Sequence, residues 1–308
     1  MDAQEQAPPS GETSGGQPLP IKILSIKHYT SLPEPNRPSY LVEGLVPAEG
    51  KIMLVAPAKA GKSTLALQLA NAVGSGLPFL GRDTTKSKVL YLQFDNVETT
   101  WRDMLKRGQE EDLTFENVDM VDPTTLPNPS KFDITLRFWQ EWMRQALKLC
   151  DPALIVLDVF RKFHKKDENR SNEMTEVHNA LTSCATGRSL FILHHSVKFR
   201  VDDEHGPPDV AFAGRGSGVI AGDVDGTWFL YKNTMLVESR MDENQTFHLK
   251  RTPNGFWLTA EQQQQEKLVT IQAFLAAHPG MSHNQLSKLA PTEIGMSRMT
   301  FYRYLRRL

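Results

Sequence analysis

Cysteine is scarce. The 308 residues hold two, Cys150 and Cys184, too few and too isolated for a disulfide framework or a zinc-binding pattern. That usage fits a reducing compartment, and both thiols read as core residues. Long apolar runs are missing as well: no stretch of about 18 apolar residues occurs, and no basic segment followed by an apolar one opens the chain. The sequence therefore predicts neither a membrane span nor a signal peptide, and leads us to expect a cytoplasmic protein. Charge of one sign is absent too. With 35 Lys and Arg against 36 Asp and Glu, any contact with nucleic acid has to come from local patches. What remains, 40% hydrophobic and 23% charged residues, is ordinary globular composition, long enough for one large domain and a small one.

The most informative stretch is KIMLVAPAKAGKSTLALQLANAV, from Lys51 to Val73. Ile52 to Ala56 reads as a buried strand, and Leu65, Leu69 and Val73 recur at helical spacing. Between them, Ala56-Pro57-Ala58-Lys59-Ala60-Gly61-Lys62-Ser63 fits the phosphate-loop pattern GxxxxGK[ST], with Ala56 where the first glycine is usual. That first position needs a small residue more than a positive φ. The backbone N–H groups of Ala58, Lys59, Ala60, Gly61, Lys62, Ser63 and Thr64 would curl around the phosphates of ATP, aided by the positive end of the helix. Lys62 would place an ammonium on the β- and γ-phosphates, and Ser63 would give its hydroxyl to Mg²⁺. A chance GKS before an ordinary helix is the bland alternative; strand, loop and helix in register argue against it.

Lys88 to Phe94 reads as a second buried strand, followed by Asp95 and a helix from near Thr99. Asp95, at the C-terminal end of a strand expected beside the phosphate loop, could orient a water for attack on the γ-phosphate, or merely cap the next helix. Glu98 is the substitute. Ile134 to Leu149 carries an apolar stripe of Leu136, Trp139, Met143, Ala146 and Leu147, a core-facing helix. Ala153 to Leu157 is an aliphatic strand delivering Asp158 to the Mg²⁺ shell. Arg161 to Lys166 packs four cations around Phe163, either a nucleic-acid contact or a solvated loop. After a helix from Asn172 to Thr186, Ser189 to Leu193 is a core strand ending in His194 and His195. Polar side chains there, His194 first, would sense the γ-phosphate. A metal site is disfavoured, since adjacent histidines on a strand face opposite ways. A long polar loop, Lys198 to Gly214, then precedes segments at 227–230, 235–239, 246–250 and 255–258 that read as a strand and a β-meander.

Residues 1–20 are rich in Pro, Gly, Ser and Gln, a composition that predicts a disordered tail. At the other end, Gln262 to Gln265 marks a junction before three short helices at 267–277, 282–289 and 297–308, with breaks at 278–280 and Pro291. Ser282 and Ser297 or Thr300 would be N-caps. From Glu266 onward there are six Lys and Arg against two Asp and Glu. The last helix presents Arg298, Arg303, Arg306 and Arg307 among Tyr302 and Tyr304, as a recognition helix in a DNA groove would. A basic amphipathic helix docked on the core or on a partner is the other reading.

In order, APAKAGKS, VLYLQFD, ALIVLDVFRKFH, LFILHHSVK, GRGSG and LVESR resemble the RecA-like ATPase core of the DnaB superfamily, and within it the plasmid RepA-type hexameric helicases. The resemblance spans roughly Tyr40 to Thr259, and YLVEGLVPAEG is similar to the lead-in before the first strand, there to pack or to reach a neighbouring subunit. It implies an α/β P-loop NTPase core with a mainly parallel sheet at 21–260; the three helices of 261–308 separately resemble a small all-α helix-turn-helix domain. It also implies a homo-oligomeric ring, a replicative helicase that hydrolyses ATP between subunits and moves single-stranded DNA through its pore. On that resemblance Lys62, Ser63 and Asp158 bind phosphate and metal. Asp95 stands where a catalytic Glu is usual. Arg240 matches an arginine finger aimed at the neighbour, with Glu238 where a lysine is usual and Arg251 and Arg215 as rivals. Lys198 and Arg200 fall in the loop that lines the channel. A DNA-binding ATPase switch regulating replication or a mobile element, without unwinding, is the competing class. A small-molecule kinase is disfavoured, because no acceptor pocket can be read.

Overall fold

Aliphatic strands that are buried on both faces must be covered from both sides, and the helices between them supply the covers. The computed structural model describes residues 23–33, 39–121, 126, 129–196 and 222–306. Residues 1–37 form one unit and 38–308 another. In the first, α1 (Ile26–Thr30) is a single turn whose N-cap, Ser25, accepts from the N–H of His28 at 3.1 Å.

The second unit begins with a small hairpin, β1 (Tyr40–Val42) and β2 (Val46–Pro47). Then come β3 (Lys51–Ala56), α2 (Lys62–Ser75), β4 (Val89–Gln93), α3 (Glu98–Glu110), β5 (Val118–Met120) and α4 (Arg137–Cys150). They are followed by β6 (Leu154–Asp158), α5 (Ser171–Cys184), β7 (Ser189–His195), β8 (Gly226–Tyr231), β9 (Thr234–Ser239), β10 (Gln245–Arg251) and β11 (Trp257–Thr259). Three helices close the chain: α6 (Ala260–Ala277), α7 (His283–Glu293) and α8 (Arg298–Leu305).

The main sheet runs β11-β10-β9-β8-β3-β7-β6-β4-β5. Strands β8 to β5 in that order are parallel, and β8 to β11 form an antiparallel meander. Side chains of β3 alternate between two cores. Ile52, Leu54 and Ala56 meet Leu65, Leu69 and Val73 of α2, while Met53 and Val55 belong to the core under Trp139, Met143 and Leu147 of α4 and Met174, Val177 and Leu181 of α5. Leu41, Val42, Leu45 and Val46 of the hairpin are buried in the first core, so the lead-in packs.

Three expectations are corrected. The strand carrying Asp95 is not beside the phosphate-loop strand: β7 and β6 lie between β3 and β4. The glutamine run is no break, because α6 begins directly after β11 and runs through it. Pro291 lies inside α7, close to its end, where a missing N–H forgoes a single helical bond. Ser282 caps α7 with a full capping box to Gln285, and Ser297 caps α8. Ile271, Phe274, Leu286, Ala290, Phe301 and Tyr304 make these helices a hydrophobic cluster of their own. Cys150 and Cys184 are free; Cys184 is buried and Cys150 half-buried.

Candidate nucleotide site

The site forms where the parallel strands end. Gly61, at φ 94°, lets the chain leave β3 and turn into α2, whose first residue is Lys62. Lys62 is 6% exposed, and its ammonium donates to the carbonyls of Ala56 at 3.1 Å and Pro57 at 3.0 Å, with His195 Nδ1 at 3.2 Å. Burial lowers its pKa to about 8, against the pull of the Asp158 and Asp95 carboxylates.

His195, not His194, thus faces the lysine. The two pair with Ala56 and Val55 of β3, and alternation along β7 sends His194 to the other face, where its ring meets Phe160 at 5.5 Å. His164 and His178 approach the same phenyl ring at 4.7 and 5.4 Å, and among the described residues no cluster of metal-binding side chains forms there.

Asp158 ends β6, fully buried. Burial raises its carboxyl to about 6, while the hydroxyls of Ser63 and Tyr91 favour the charged form. Tyr91 holds Oδ2 at 2.9 Å; Oδ1 is buried without a hydrogen-bond partner among the described residues. An unpaired carboxylate oxygen beside a serine hydroxyl is the hard oxygen pair that Mg²⁺ takes, so Asp158 and Ser63 fit the ion.

Asp95 follows the next strand over. The N–H of Phe94 bonds the carbonyl of Asp158 at 2.9 Å, which brings Asp95 to the same edge of the sheet, where Lys162 lies 3.4 Å from its Oδ1. It caps no helix: the N-cap of α3 is Val97. Glu98 is paired with Arg102 at 2.7 Å on the surface of α3. Of the other cations in the Arg161–Lys166 loop, Arg161 and Lys166 have partners within the protein and Lys165 is exposed. Arg161 donates to the carbonyls of His164 and Lys166, Lys166 pairs with Glu176 at 2.8 Å, and Phe163 is buried.

Arg240 lies at the opposite edge of the sheet. Its N–H bonds the carbonyl of Asp225 and its guanidinium that of Gly222, while Asp225 bonds Lys51, the first residue of β3. The phosphate loop starts at the last residue of that strand, roughly 17 Å away at about 3.3 Å per residue. Arg251 instead touches its own phosphate loop, donating to the carbonyl of Ala60. Lys198, Arg200 and Arg215 lie outside the described residues. Arg298, Arg303 and Arg306 are exposed with Tyr302, whereas Tyr304 is buried in the helical cluster.

Residues 17–200, more than half of the chain, match the family described as AAA domain. The chain belongs to that family. Among solved structures, one described as an ATPase domain matches this AAA protein at 14% identity and a TM-score of 0.50, over 68% of this chain and 84% of that one. A DnaB-like replicative helicase, described with its interactions with primase, matches at 15% identity and a TM-score of 0.51, over 68% of this chain and 59% of that one. A KaiC-like protein from Pyrococcus horikoshii OT3 aligns at 14% identity with a TM-score of 0.44, over 71% and 93%. By the matches at TM-scores of 0.50 and 0.51, the AAA domain has the RecA-like P-loop fold. Motif reading passes over Tyr91 and Trp257, which contact Asp158 and the phosphate loop; Lys162 and His195 fall inside segments it names, and Arg251 enters there as a rival arginine finger. Only His195 carried a signal, through strand alternation.

Proposed function

We propose that this protein is an ATP-driven motor on nucleic acid, a ring-forming DNA helicase that hydrolyses ATP at subunit interfaces. The observation that supports the reading is the position of the candidate residues at two edges of the sheet. Lys62, Ser63, Asp158, Asp95 and His195 gather at the C-terminal edge, while Arg240 stands at the other, out of reach of its own loop. An arginine so placed, which also bonds the Gly222 carbonyl, would complete a neighbour's site rather than its own. In that site Lys62 neutralises phosphate charge, Asp95 orients the attacking water, His195 senses the γ-phosphate through Lys62, and Arg240 of an adjacent copy stabilises the developing charge. Ser63 and Asp158 would hold Mg²⁺, which would supply charge neutralisation at the phosphates. Arg298, Arg303 and Arg306 on the exposed face of α8 would hold DNA phosphates in a helix-turn-helix at 261–308, and Lys198 and Arg200 would line the channel.

The test is steady-state ATP hydrolysis with and without single-stranded DNA, on wild type, Lys62→Ala and Arg240→Ala, with the assembly mass measured alongside. DNA-stimulated turnover, lost in each variant and partly regained when the two are mixed, supports a shared site. No turnover in wild type overturns the motor. One observation favours a second reading, a DNA-binding ATPase switch without unwinding: the candidate water-orienting group is a short Asp, tied to Lys162. Strand displacement on a forked duplex separates the two.

A further inference from the structure

The antiparallel end of the sheet reaches back onto the phosphate loop. Trp257 of β11 is 1% exposed, and its backbone N–H and carbonyl both bond the Gln68 side chain of α2, each at 2.8 Å. The Arg251 guanidinium lies over the indole, 4.6 Å from the ring centroid, and donates to the carbonyl of Ala60. The indole N–H meets the carbonyl of Gly61 at 3.3 Å, an oxygen that already accepts from Thr64 Oγ1 and the N–H of Leu65. A Cβ on Gly61 would come within 2.6 Å of the guanidinium and 3.1 Å of the indole. Loop glycine, arginine and tryptophan are therefore fitted to one another.

We propose that Arg251, held over Trp257, is a positioning residue for the phosphate loop. Planarity of the peptide carries this role. In a trans unit the carbonyl of one residue and the N–H of the next point in opposite directions. Holding the Ala60 carbonyl on the arginine side turns the N–H of Gly61 to the other side, as a phosphate cradle requires. The Gly61 carbonyl is fixed by α2 itself; for the Ala60 carbonyl, Arg251 is the donor among the described residues. Trp257 supplies the surface that keeps a long side chain in one place, and Gln68 keeps the tryptophan. The proposal rests on the ATP-binding reading and adds a residue to it that acts in its own subunit, unlike Arg240.

The test is titration of full-length protein with a fluorescent ATP analogue and Mg²⁺, together with thermal unfolding and kinetics. We expect Arg251→Ala to weaken binding about tenfold and to raise KM with kcat largely kept, the pattern of lost uniform binding. Arg251→Lys should recover part of the affinity, since an ammonium can donate to Ala60 but cannot lie flat on the indole. Trp257→Leu should follow Arg251→Ala. Affinity within twofold of wild type in Arg251→Ala, or a lowered melting point with affinity unchanged, overturns the proposal. If Arg251→Ala fails to fold, Arg251→Lys decides alone: weakened affinity supports the proposal and unchanged affinity overturns it. Lys62→Ala keeps the two claims apart. Weak binding by Lys62→Ala beside normal binding by Arg251→Ala sinks only the positioning role, whereas a wild type that binds no nucleotide sinks the ATP reading itself.

Discussion

The hydroxyl of Tyr91 donates to Oδ2 of Asp158 at 2.9 Å, across the adjacent strands β4 and β6. The bond divides the carboxylate: Oδ2 is held by the fold, and Oδ1 has no hydrogen-bond partner among the described residues. Desolvation of this carboxylate opposes folding, and the tyrosine recovers part of that cost.

Tyr91→Phe removes the bond and keeps the ring among Trp101 and its neighbours. It should lower stability by about 2 kcal/mol, the cost of taking a partner from a buried charge. Urea unfolding measures it, and a midpoint equal to wild type would show that the bond carries no weight.

Asp158→Asn should separate stability from activity. Replacing a buried charge by a neutral isostere relieves desolvation, so the melting temperature should hold or rise. ATP hydrolysis in Mg²⁺ should fall at least about a hundredfold, the scale on which a preorganised electrostatic group acts.

His195 and His194 should respond differently to the same change. His195→Ala is expected to reduce kcat about tenfold or more with the fold intact, because it removes the ring beside Lys62. His194→Ala empties a site packed against Phe160 and should destabilise by about 2 kcal/mol. Equal effects from the two would contradict the alternation along β7.

Acid should destabilise the protein through His164 and His178. Burial lowers both to about 4; Arg161 and His194 push His164 the same way against Asp133, and Lys51 pushes His178 down against Asp223. The unfolded chain protonates near pH 6.5, the folded one only near 4. Their stability is fully present above about 6.5 and is lost as pH falls toward 4, about 1 kcal/mol apiece by pH 5.5. Denaturant midpoints between pH 7.5 and 5 test this, and His178→Leu should flatten the slope.

Much of this was legible in sequence because it is local. A strand, a GKS turn and a helix occupy consecutive residues, and the caps Ser282 and Ser297 sit next to the helices they start. What sequence could not show is lateral order. Nothing in Lys88 to Phe94 says that two other strands separate it from β3, since strand order is settled by crossovers rather than by spacing. The histidine choice turned on the phase of one strand, where a single step reverses the face. The tie between Gln68 and Trp257 joins residues 189 apart, with no periodicity to announce it. In the loop Arg161 to Lys166, Arg161, Lys162 and Lys166 are held by carbonyls, Asp95 and Glu176, which a charge count along the chain cannot show, and Lys165 is exposed.

The direct passage from β11 into α6, with no residue between Thr259 and Ala260, makes the terminal helices a stiff arm rather than a tethered bead. Eighteen residues of helix span roughly 27 Å at 1.5 Å per residue. A tilt of about ten degrees at Ala260 would swing the far end by roughly 5 Å, so motion at the edge of the sheet would arrive at the last helix amplified, not absorbed.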